Sequence, residues 1–349
     1  VDLPQVRAVV TEHQILTRRC ACGHLTAGTA PAGVAAPVSY GPAARAAMVY
    51  LAAGQYIPIR RVAVTMADLL GMPVSTGAVA AAVEQAGGEP LDAFTGQVAG
   101  RIAASPVVHA DETGLRVAGK LHWVHSASTG QYSHISVHRR RGRAGMDAAG
   151  ILPGCTGVLV HDAWAPYDTY EHVDHQLCCA HLIRELVAVA DHHDAHDPPG
   201  AFCWARQVLD ALLPLIRDPH AAAGQADPGL LEAGRRLIVD AARLGADSGV
   251  PGKVGAKHRA LARRISARID DYLRFATTPG LAPDNNAAER EIRMVKVHQK
   301  VSGCHRTLTG AEGFLRLRSY LSTATKQACN TYQVLVDLFN GQAWTPATT

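Results

Sequence analysis

The spacing of apolar and polar positions divides the chain into an irregular start, a helical segment, a strand-rich middle and a long helical end. Residues 1–40 carry no regular pattern and are expected to be extended. Across residues 41–100 apolar anchors recur at helical spacing, with Pro42 close to a helix start and Ser75 in the position of an N-cap. This segment is therefore predicted to be a small helical domain.

From about Ser105 the pattern changes to short runs rich in β-branched and aromatic residues, which predict strands. These runs are SPVVHADETGLRV, KLHWVHSAST, QYSHISVHRR, TGVLVHDAW and DHQLCCA, with a short helix predicted at MDAAGILPG before the fourth. The order of three strands, helix, strand, strand and then helices predicts an α/β fold with a mixed sheet. The predicted segments are a first core part at 101–190, a helical insertion at 191–283 and a second core part at 284–349.

Composition excludes several classes of protein. The chain has 349 residues, of which 48% are hydrophobic, so it can bury a sizeable core. No apolar run approaches the ~20 residues of a membrane helix, and no basic-then-apolar leader opens the chain. Eight scattered cysteines indicate reduced cytosolic thiols or metal ligands rather than a disulfide scaffold. The first residue is Val rather than Met, and we expect the chain to be truncated at its N-terminus.

The overall net charge of +4 conceals an uneven distribution. Residues 250–326 hold 15 Lys and Arg against 6 Asp and Glu, whereas the rest of the chain has an excess of acidic residues. A concentrated basic segment is typical of proteins that bind polyanions. A set of solvated helix faces is the alternative explanation.

Two aspartates occupy equivalent positions in two predicted strands. Side chains alternate along a strand, so Asp111 shares a face with His109, and Asp162 shares a face with Val160. Each aspartate is expected at the end of its strand, on the rim of the sheet. Two such carboxylates could converge on a hard divalent cation such as Mg²⁺. For either aspartate alone, a helix cap or a turn is the competing interpretation.

A third carboxylate lies on the predicted helix that follows Asp284, the expected N-cap. One face of this helix carries Glu289, Arg293, Lys296 and Lys300. Its other face carries Ala288, Ile292 and Val295, which would pack on the sheet. A surface helix with Glu–Arg ion pairs explains part of this pattern, but it does not explain the Asp-Asn-Asn start.

Two strand aspartates and a helix glutamate form a recognisable catalytic set. Three carboxylates can hold two Mg²⁺ ions that activate a water or a DNA 3′-hydroxyl for in-line phosphoryl transfer. Neighbouring cations would hold the phosphate backbone. The strand order and the placement of the carboxylates resemble the ribonuclease H-like fold.

The chain also resembles the DDE transposases of the insertion-sequence-66 family, from about residue 7 to residue 340. The strongest segment is DNNAAEREIR followed by KVHQKVSGCHRTLTGAEGFLRLRSYLSTAT. HADETGLRV with HWVHSAS is similar to the first-Asp block, and HDAWAPYDTY with HQLCCAHLIREL to the second. The resemblance implies that Asp111, Asp162 and Glu289 are the catalytic triad and bind Mg²⁺ or Mn²⁺.

Further residues take candidate roles around this triad. The expected DNA contacts are Arg290, Arg293, Lys296, Lys300, Arg139 and Arg140, the last two belonging to a basic run that also includes Arg141 and Arg143. Active-site support is expected from Cys178, His181, Asn285 and Asn286. Cys178 and His181 match the Cys-x-x-His element of such transposases, while a buried cysteine and a helix-capping histidine form the equal alternative.

Cys20 and Cys22 match the end of the family's zinc-finger-like module, so residues 1–40 are expected to be a remnant of that module and a linker. A structural zinc ion needs four ligands and this pair supplies two, which argues against Zn²⁺. His192 and His196, four apart in DHHDAHD, offer another metal site, although a solvated helix end explains them better.

The resemblance implies that the partners are transposon ends and target DNA, a second copy of the chain in a homo-oligomer, and accessory proteins of the same element. It also implies a cytoplasmic, nucleoid-associated location in a bacterium and no membrane partner. Two other functions are open from the sequence. One is a truncated or domesticated transposase that only binds DNA. The other is a small-molecule metal hydrolase built on His192 and His196.

Overall fold

A short hairpin interrupts the irregular start of the chain. The computed structural model describes residues 1–2, 7–31, 33–34 and 36–347. Strands β1 (Thr17–Arg19) and β2 (Leu25–Ala27) pair antiparallel. Cys20 and Cys22 form a disulfide in the turn between them, so the expectation of reduced thiols is wrong for this pair. The other six cysteines are free thiols, as expected.

The predicted helical segment forms four helices. They are α1 (Pro42–Val49), α2 (Ile59–Leu70), α3 (Thr76–Ala86) and α4 (Asp92–Ala103). Pro42 is the first residue of α1, where its missing N–H costs no hydrogen bond. The Ser75 hydroxyl accepts a hydrogen bond from the N–H of Ala78, which confirms the predicted N-cap.

The strand-rich middle forms one five-stranded mixed sheet, which confirms the α/β class. Its elements are β3 (Val107–Val117), β4 (Lys120–Ser128), β5 (Ser133–His138), α5 (Arg143–Asp147), β6 (Val158–His161) and β7 (His175–Leu177). The spatial order is β5-β4-β3-β6-β7. β6 is parallel to both β3 and β7, whereas β4 and β5 pair antiparallel with each other. The short helix α5 begins before the predicted MDAAGILPG segment.

A run of helices follows the last strand. It comprises α6 (Cys179–His196), α7 (Trp204–Arg217), α8 (Pro219–Ala222), α9 (Pro228–Ala246), α10 (Gly252–Ala267) and α11 (Ile269–Leu273). Buried side chains of these helices form one hydrophobic cluster with Val160 of β6 and Leu177 of β7. The helical insertion is therefore part of the core that supports the sheet.

Three helices complete the chain: α12 (Asn286–Ser302), α13 (Leu308–Lys326) and α14 (Thr331–Phe339). Two compact units result. One contains Val1–Thr95, Val117–Gly119 and Val297–Thr349, and the other contains Gly96–Arg116 and Lys120–Lys296. Among the described residues, no helix has both the length and the apolar character needed to cross a membrane. The predicted carboxylates all belong to the second unit.

Candidate active site

Asp111 lies within β3, and Asp162 directly follows the neighbouring parallel strand β6. The register pairs Val107 with Val158 and His109 with Val160, and continuing it by two residues sets Asp111 level with Asp162. The expectation that Asp111 ends its own strand is wrong, since β3 continues to Val117. The exposed edge arises because β6 stops at His161, which leaves that side of β3 without a partner strand. Both aspartates are half-buried there.

One oxygen of each aspartate is already held by the backbone. Asp111 Oδ1 accepts a hydrogen bond from the Glu112 N–H at 2.9 Å, and Asp162 Oδ1 accepts one from the Trp164 N–H at 2.9 Å. Within the described ranges neither Oδ2 atom accepts a hydrogen bond. The carboxylates are thus oriented, and each keeps one oxygen for another ligand.

The electrostatics of this edge favour a cation. The pKa of Asp111 is raised to about 7, first by burial and then by the negative charges of Glu112, Asp162 and Glu289, against the lowering effect of the Glu112 N–H. Three predicted site carboxylates therefore lie in one electrostatic neighbourhood. Because like charges at close range oppose ionisation, a divalent cation would stabilise the ionised forms.

Glu289 is positioned by the anchoring of α12. Ala288, Ile292 and Val295 are buried, as the sequence pattern predicts. Glu291 is also buried and accepts a hydrogen bond from the Ser133 hydroxyl at 2.8 Å. These contacts fix the rotation of the helix, and the rotation determines where Glu289 points.

The Glu289 carboxylate has an unsatisfied buried oxygen. Its Oε1 accepts no hydrogen bond in the part of the chain that the structure describes. His181 Nδ1 and Arg184 Nη2 each lie 3.6 Å from this oxygen, beyond hydrogen-bonding distance. A buried polar atom without a partner costs free energy, so this oxygen is suited to an incoming ligand.

The start of α12 is tied to the sheet through Asn285, which is fully buried. Its Nδ2 donates to the carbonyl of Ala110 at 2.8 Å, and its Oδ1 lies 3.1 Å from His109 Nδ1. Its backbone N–H donates to Cys178 Sγ at 3.3 Å. Asn285 thereby fixes Glu289 relative to the strand that carries Asp111.

Asp284 does not cap the helix as predicted. The helix begins at Asn286. Asp284 lies two residues earlier, and its Oδ1 accepts a hydrogen bond from the Asn286 N–H at 2.9 Å. Asn285 occupies the position between them, and its side chain is committed to the sheet. Asn286 is exposed.

Two groups of side chains bring three metal-ligating atoms within 4.8 Å of one another. Cys178, His181 and Glu289 form one group, and the charge of Glu289 acts on Asp111. His181 is the third residue of α6 rather than its cap, so the capping alternative for this histidine is wrong. Cys178 is buried, immediately before the helix.

The second group is internally satisfied. It consists of His161, Asp168 and His175. His161 Nε2 and His175 Nδ1 lie 3.0 Å apart, and Asp168 pairs with Arg268 at 2.7 Å. These atoms have protein partners and are not oriented toward an added ion.

The remaining metal candidates are not supported. Cys20 and Cys22 bond to each other, which consumes the thiols that a zinc ion would need. The rings of His192 and His196 stack 4.2 Å apart, and His196 Nδ1 bonds the carbonyl of His192 at 2.8 Å. Across the described residues no three-ligand group includes any of these four side chains.

The predicted DNA contacts differ in their availability. Among the predicted contacts, five are exposed and form no ion pair in the described part of the chain: Arg139, Arg140, Arg290, Arg293 and Lys300, the last of which belongs to the other unit. Lys296 is half-buried, and its Nζ donates to the carbonyl of Gly114 at 3.0 Å. Arg143 bonds the carbonyl of Thr169 at 2.6 Å.

Sequence reasoning missed the side chains beside the aspartates. Glu112 is buried and accepts hydrogen bonds from Arg141 and from the Tyr167 hydroxyl. Burial raises the pKa of Glu112, while the bonds from Tyr167 and Arg141 act against that shift. The sequence pattern that could have identified Glu112 is the alternation of side chains along β3. It turns Glu112 to the face opposite Asp111, where a buried charge requires a partner.

Comparison with models of known protein families identifies the family of this chain. Residues 37–313 match the family model described as transposase IS66 family, which spans well over half of the chain and includes all three candidate carboxylates. A search of the curated proteins finds no match.

Proposed function

The chain belongs to the IS66 family of transposases, and we propose that it cuts and rejoins the DNA ends of an insertion sequence with Asp111, Asp162 and Glu289 as its catalytic carboxylates. The observation that carries this proposal is the convergence of the three side chains, one from within β3, one from the residue directly after β6 and one from an anchored helix. The mixed sheet with its parallel central strands supports the ribonuclease H-like fold that we propose for this unit.

The donor set fits Mg²⁺ or Mn²⁺. Carboxylate oxygens are the preferred ligands of these ions, and the site offers Asp111 Oδ2, Asp162 Oδ2 and Glu289 Oε1, which accepts no hydrogen bond from the described residues. Ions bound there would supply charge stabilisation for the attacking and leaving oxygens of a phosphoryl transfer.

The protein's own residues would orient the reacting DNA. Water attacks the phosphorus at the element end and the P–O3′ bond breaks, which gives a 3′-hydroxyl and a 5′-phosphate. The 3′-hydroxyl then attacks a phosphodiester of the target and displaces the O3′ of the target strand, which leaves as a new 3′-hydroxyl. Arg290 and Arg293 extend from the helix that bears Glu289 and are free to contact phosphates. Phosphate contacts fix the register of DNA without reading its sequence. We expect a homo-oligomer to hold paired ends, and we expect accessory proteins of the element as further partners if the purified chain does not transpose alone.

A strand-transfer assay with the flanking element ends and Mg²⁺ tests the proposal. Asp162→Asn keeps the size of the side chain but removes its charge, and we expect it to abolish cleavage and joining while DNA binding persists. Asp174→Asn is the matched control, because Asp174 is an exposed residue just before β7 that pairs only at the surface with Arg274.

The outcomes separate the alternatives. Full activity of Asp162→Asn would contradict the catalytic assignment. A wild-type chain that binds the element ends but never cuts them would instead identify a DNA-binding protein derived from a transposase.

A further inference from the structure

We propose that Arg141 is a positioning residue that joins the supports of both aspartates and so sets the metal affinity of the site. This inference rests on the proposed function, because it takes Asp111 and Asp162 to be metal ligands. Arg141 does not contact either aspartate. It contacts the two residues whose backbone N–H groups hold them, Glu112 and Trp164.

The first link is an ion pair with Glu112. The guanidinium donates to Glu112 Oε1 through Nε at 3.0 Å and through Nη2 at 2.7 Å. The Glu112 side chain is 1% exposed, so this charge has lost its hydration and depends on its protein partners. Tyr167 donates to the other oxygen, Oε2, at 2.6 Å. The neighbouring N–H, which holds Asp111, is fixed by these bonds.

The second link is the cation–π contact of the guanidinium with two indole rings. Its Cζ lies 4.0 Å from the centroid of Trp164 and 4.8 Å from that of Trp123. A cation held over aromatic faces is attracted by their quadrupoles. The contact orients Trp164, whose N–H holds Asp162.

The backbone before Trp164 is held in an uncommon conformation. Ala163 has φ 69°, in the left-handed region, and its N–H donates to His161 Nδ1 at 3.2 Å. The turn that presents the Trp164 N–H therefore needs outside support. Arg141 supplies that support, and it connects the turn after β6 with β3.

The geometry requires arginine. A planar guanidinium can bond Glu112 through two nitrogens while its Cζ stays over two indole rings, whereas an ammonium cannot do both. Loss of the guanidinium group, whose two nitrogens form a fork around Glu112 Oε1, would release Trp164 and leave the buried Glu112 without its cation. Each aspartate would then lose the support that directs its free oxygen.

Titration of the full chain with Mn²⁺ alone, followed by the electron paramagnetic resonance signal of free Mn²⁺, tests this inference without a DNA substrate. We expect Arg141→Met to raise the Mn²⁺ dissociation constant by about 10–100-fold, the range found when outer partners of metal ligands are removed. Simple charge removal predicts the opposite sign, because taking away a nearby cation should tighten Mn²⁺ binding.

Two further variants keep the test informative if Arg141→Met folds poorly. Arg141→Lys retains the charge but loses the fork, and it should also weaken Mn²⁺ binding. Arg143→Met is the matched control, since Arg143 lies in the same segment, stacks on Tyr170 and pairs with Asp147. It should lower the melting temperature without changing Mn²⁺ affinity.

The results distinguish failure of this inference from failure of the proposed function. Weaker binding in both Arg141 variants, with Arg143→Met unchanged, supports the positioning role. Wild-type affinity in Arg141→Lys or Arg141→Met overturns it, provided that Asp162→Asn still abolishes binding. If Asp162→Asn binds Mn²⁺ as the wild type does, the metal site itself is misassigned and the proposed function fails with it.

Discussion

At the scale of single residues, buried histidines are a source of pH sensitivity. His134 lies in β5, where burial lowers its pKa to about 4 from the ordinary value of 6.5. At neutral pH the side chain is uncharged in both the folded and the unfolded chain. Between these two pKa values only the unfolded chain takes up the proton, so the folded state loses stability as the pH falls through this window.

We therefore predict that His134→Gln reduces the pH dependence of stability. For the wild type, the contribution of His134 to the free energy of unfolding should fall by about 2 kcal/mol between about pH 7.5 and about pH 5. Urea unfolding at the two pH values measures this loss, and the variant should lack that part of it. His220→Gln, at an exposed position, is the control. An equal loss in wild type and His134→Gln would contradict the prediction.

The sequence indicated candidate carboxylates but not the side chains that surround them. Asp111, Asp162 and Glu289 could be found because a polar residue at a regular position in an apolar strand or on a helix face is visible in the pattern. Arg141 could not be assigned, since its location in a basic run gives no indication of which cation turns inward. Its role depends on Glu112 and Trp164, which are distant from it in the sequence.

At the scale of elements, the register between β3 and β6 aligns the two aspartates. Gly157 precedes β6, and a β-carbon at this position would lie 2.3 Å from the carbonyl oxygen of Ser105, just before β3. The backbone here cannot give way without separating the two strands. The Val158 N–H, which bonds the carbonyl of Pro106 at 2.9 Å, would be displaced first.

We predict that Gly157→Ala costs about 1–3 kcal/mol of stability, the usual range for overpacking, and lowers strand-transfer activity more than the loss of folded protein explains. Gly154→Ala is the control, because its β-carbon would lie 3.7 Å from the nearest atom, which is an ordinary contact. Thermal unfolding and specific activity at a temperature where both variants are folded give the comparison. Full specific activity of Gly157→Ala would argue against alignment by this register.

The elements themselves were partly predictable. Strand patterns located all five strands of the sheet, because alternation and flanking turns are local signals. The β1–β2 hairpin was not predicted, since its three-residue strands are exposed and lack an apolar face. The end of β3 was misjudged because Asp111 interrupts the apolar pattern, while pairing with β4 continues the strand beyond it.

At the scale of the whole molecule, the helical insertion and the sheet share buried residues. Leu212 of α7 and Ile238 of α9 belong to the same hydrophobic cluster as Leu177 of β7. A segment that shares its core with a sheet is expected to unfold together with it. The sequence predicted this insertion as a separate segment, because only tertiary packing reveals which core its apolar faces enter.

We predict that Leu212→Ala, which costs about 2–5 kcal/mol as a buried truncation, lowers the opening free energy of amides in β6 and β7 as much as in α7. Native-state hydrogen exchange at increasing denaturant measures these values. Leu237→Ala on the exposed face of α9 is the control and should change neither. Unchanged protection in β6 and β7 would mean that the insertion opens independently.

The left-handed conformation of Ala163 has a consequence for selection experiments on this protein. An alanine in that region costs about 1–2 kcal/mol, more than the roughly 0.4–1 kcal/mol that glycine loses through its freer unfolded chain. Glycine at 163 would therefore make the fold more stable. It would also loosen the turn that directs Asp162. Selection of a variant library for heat resistance should therefore favour glycine at position 163, whereas selection for transposition should retain alanine.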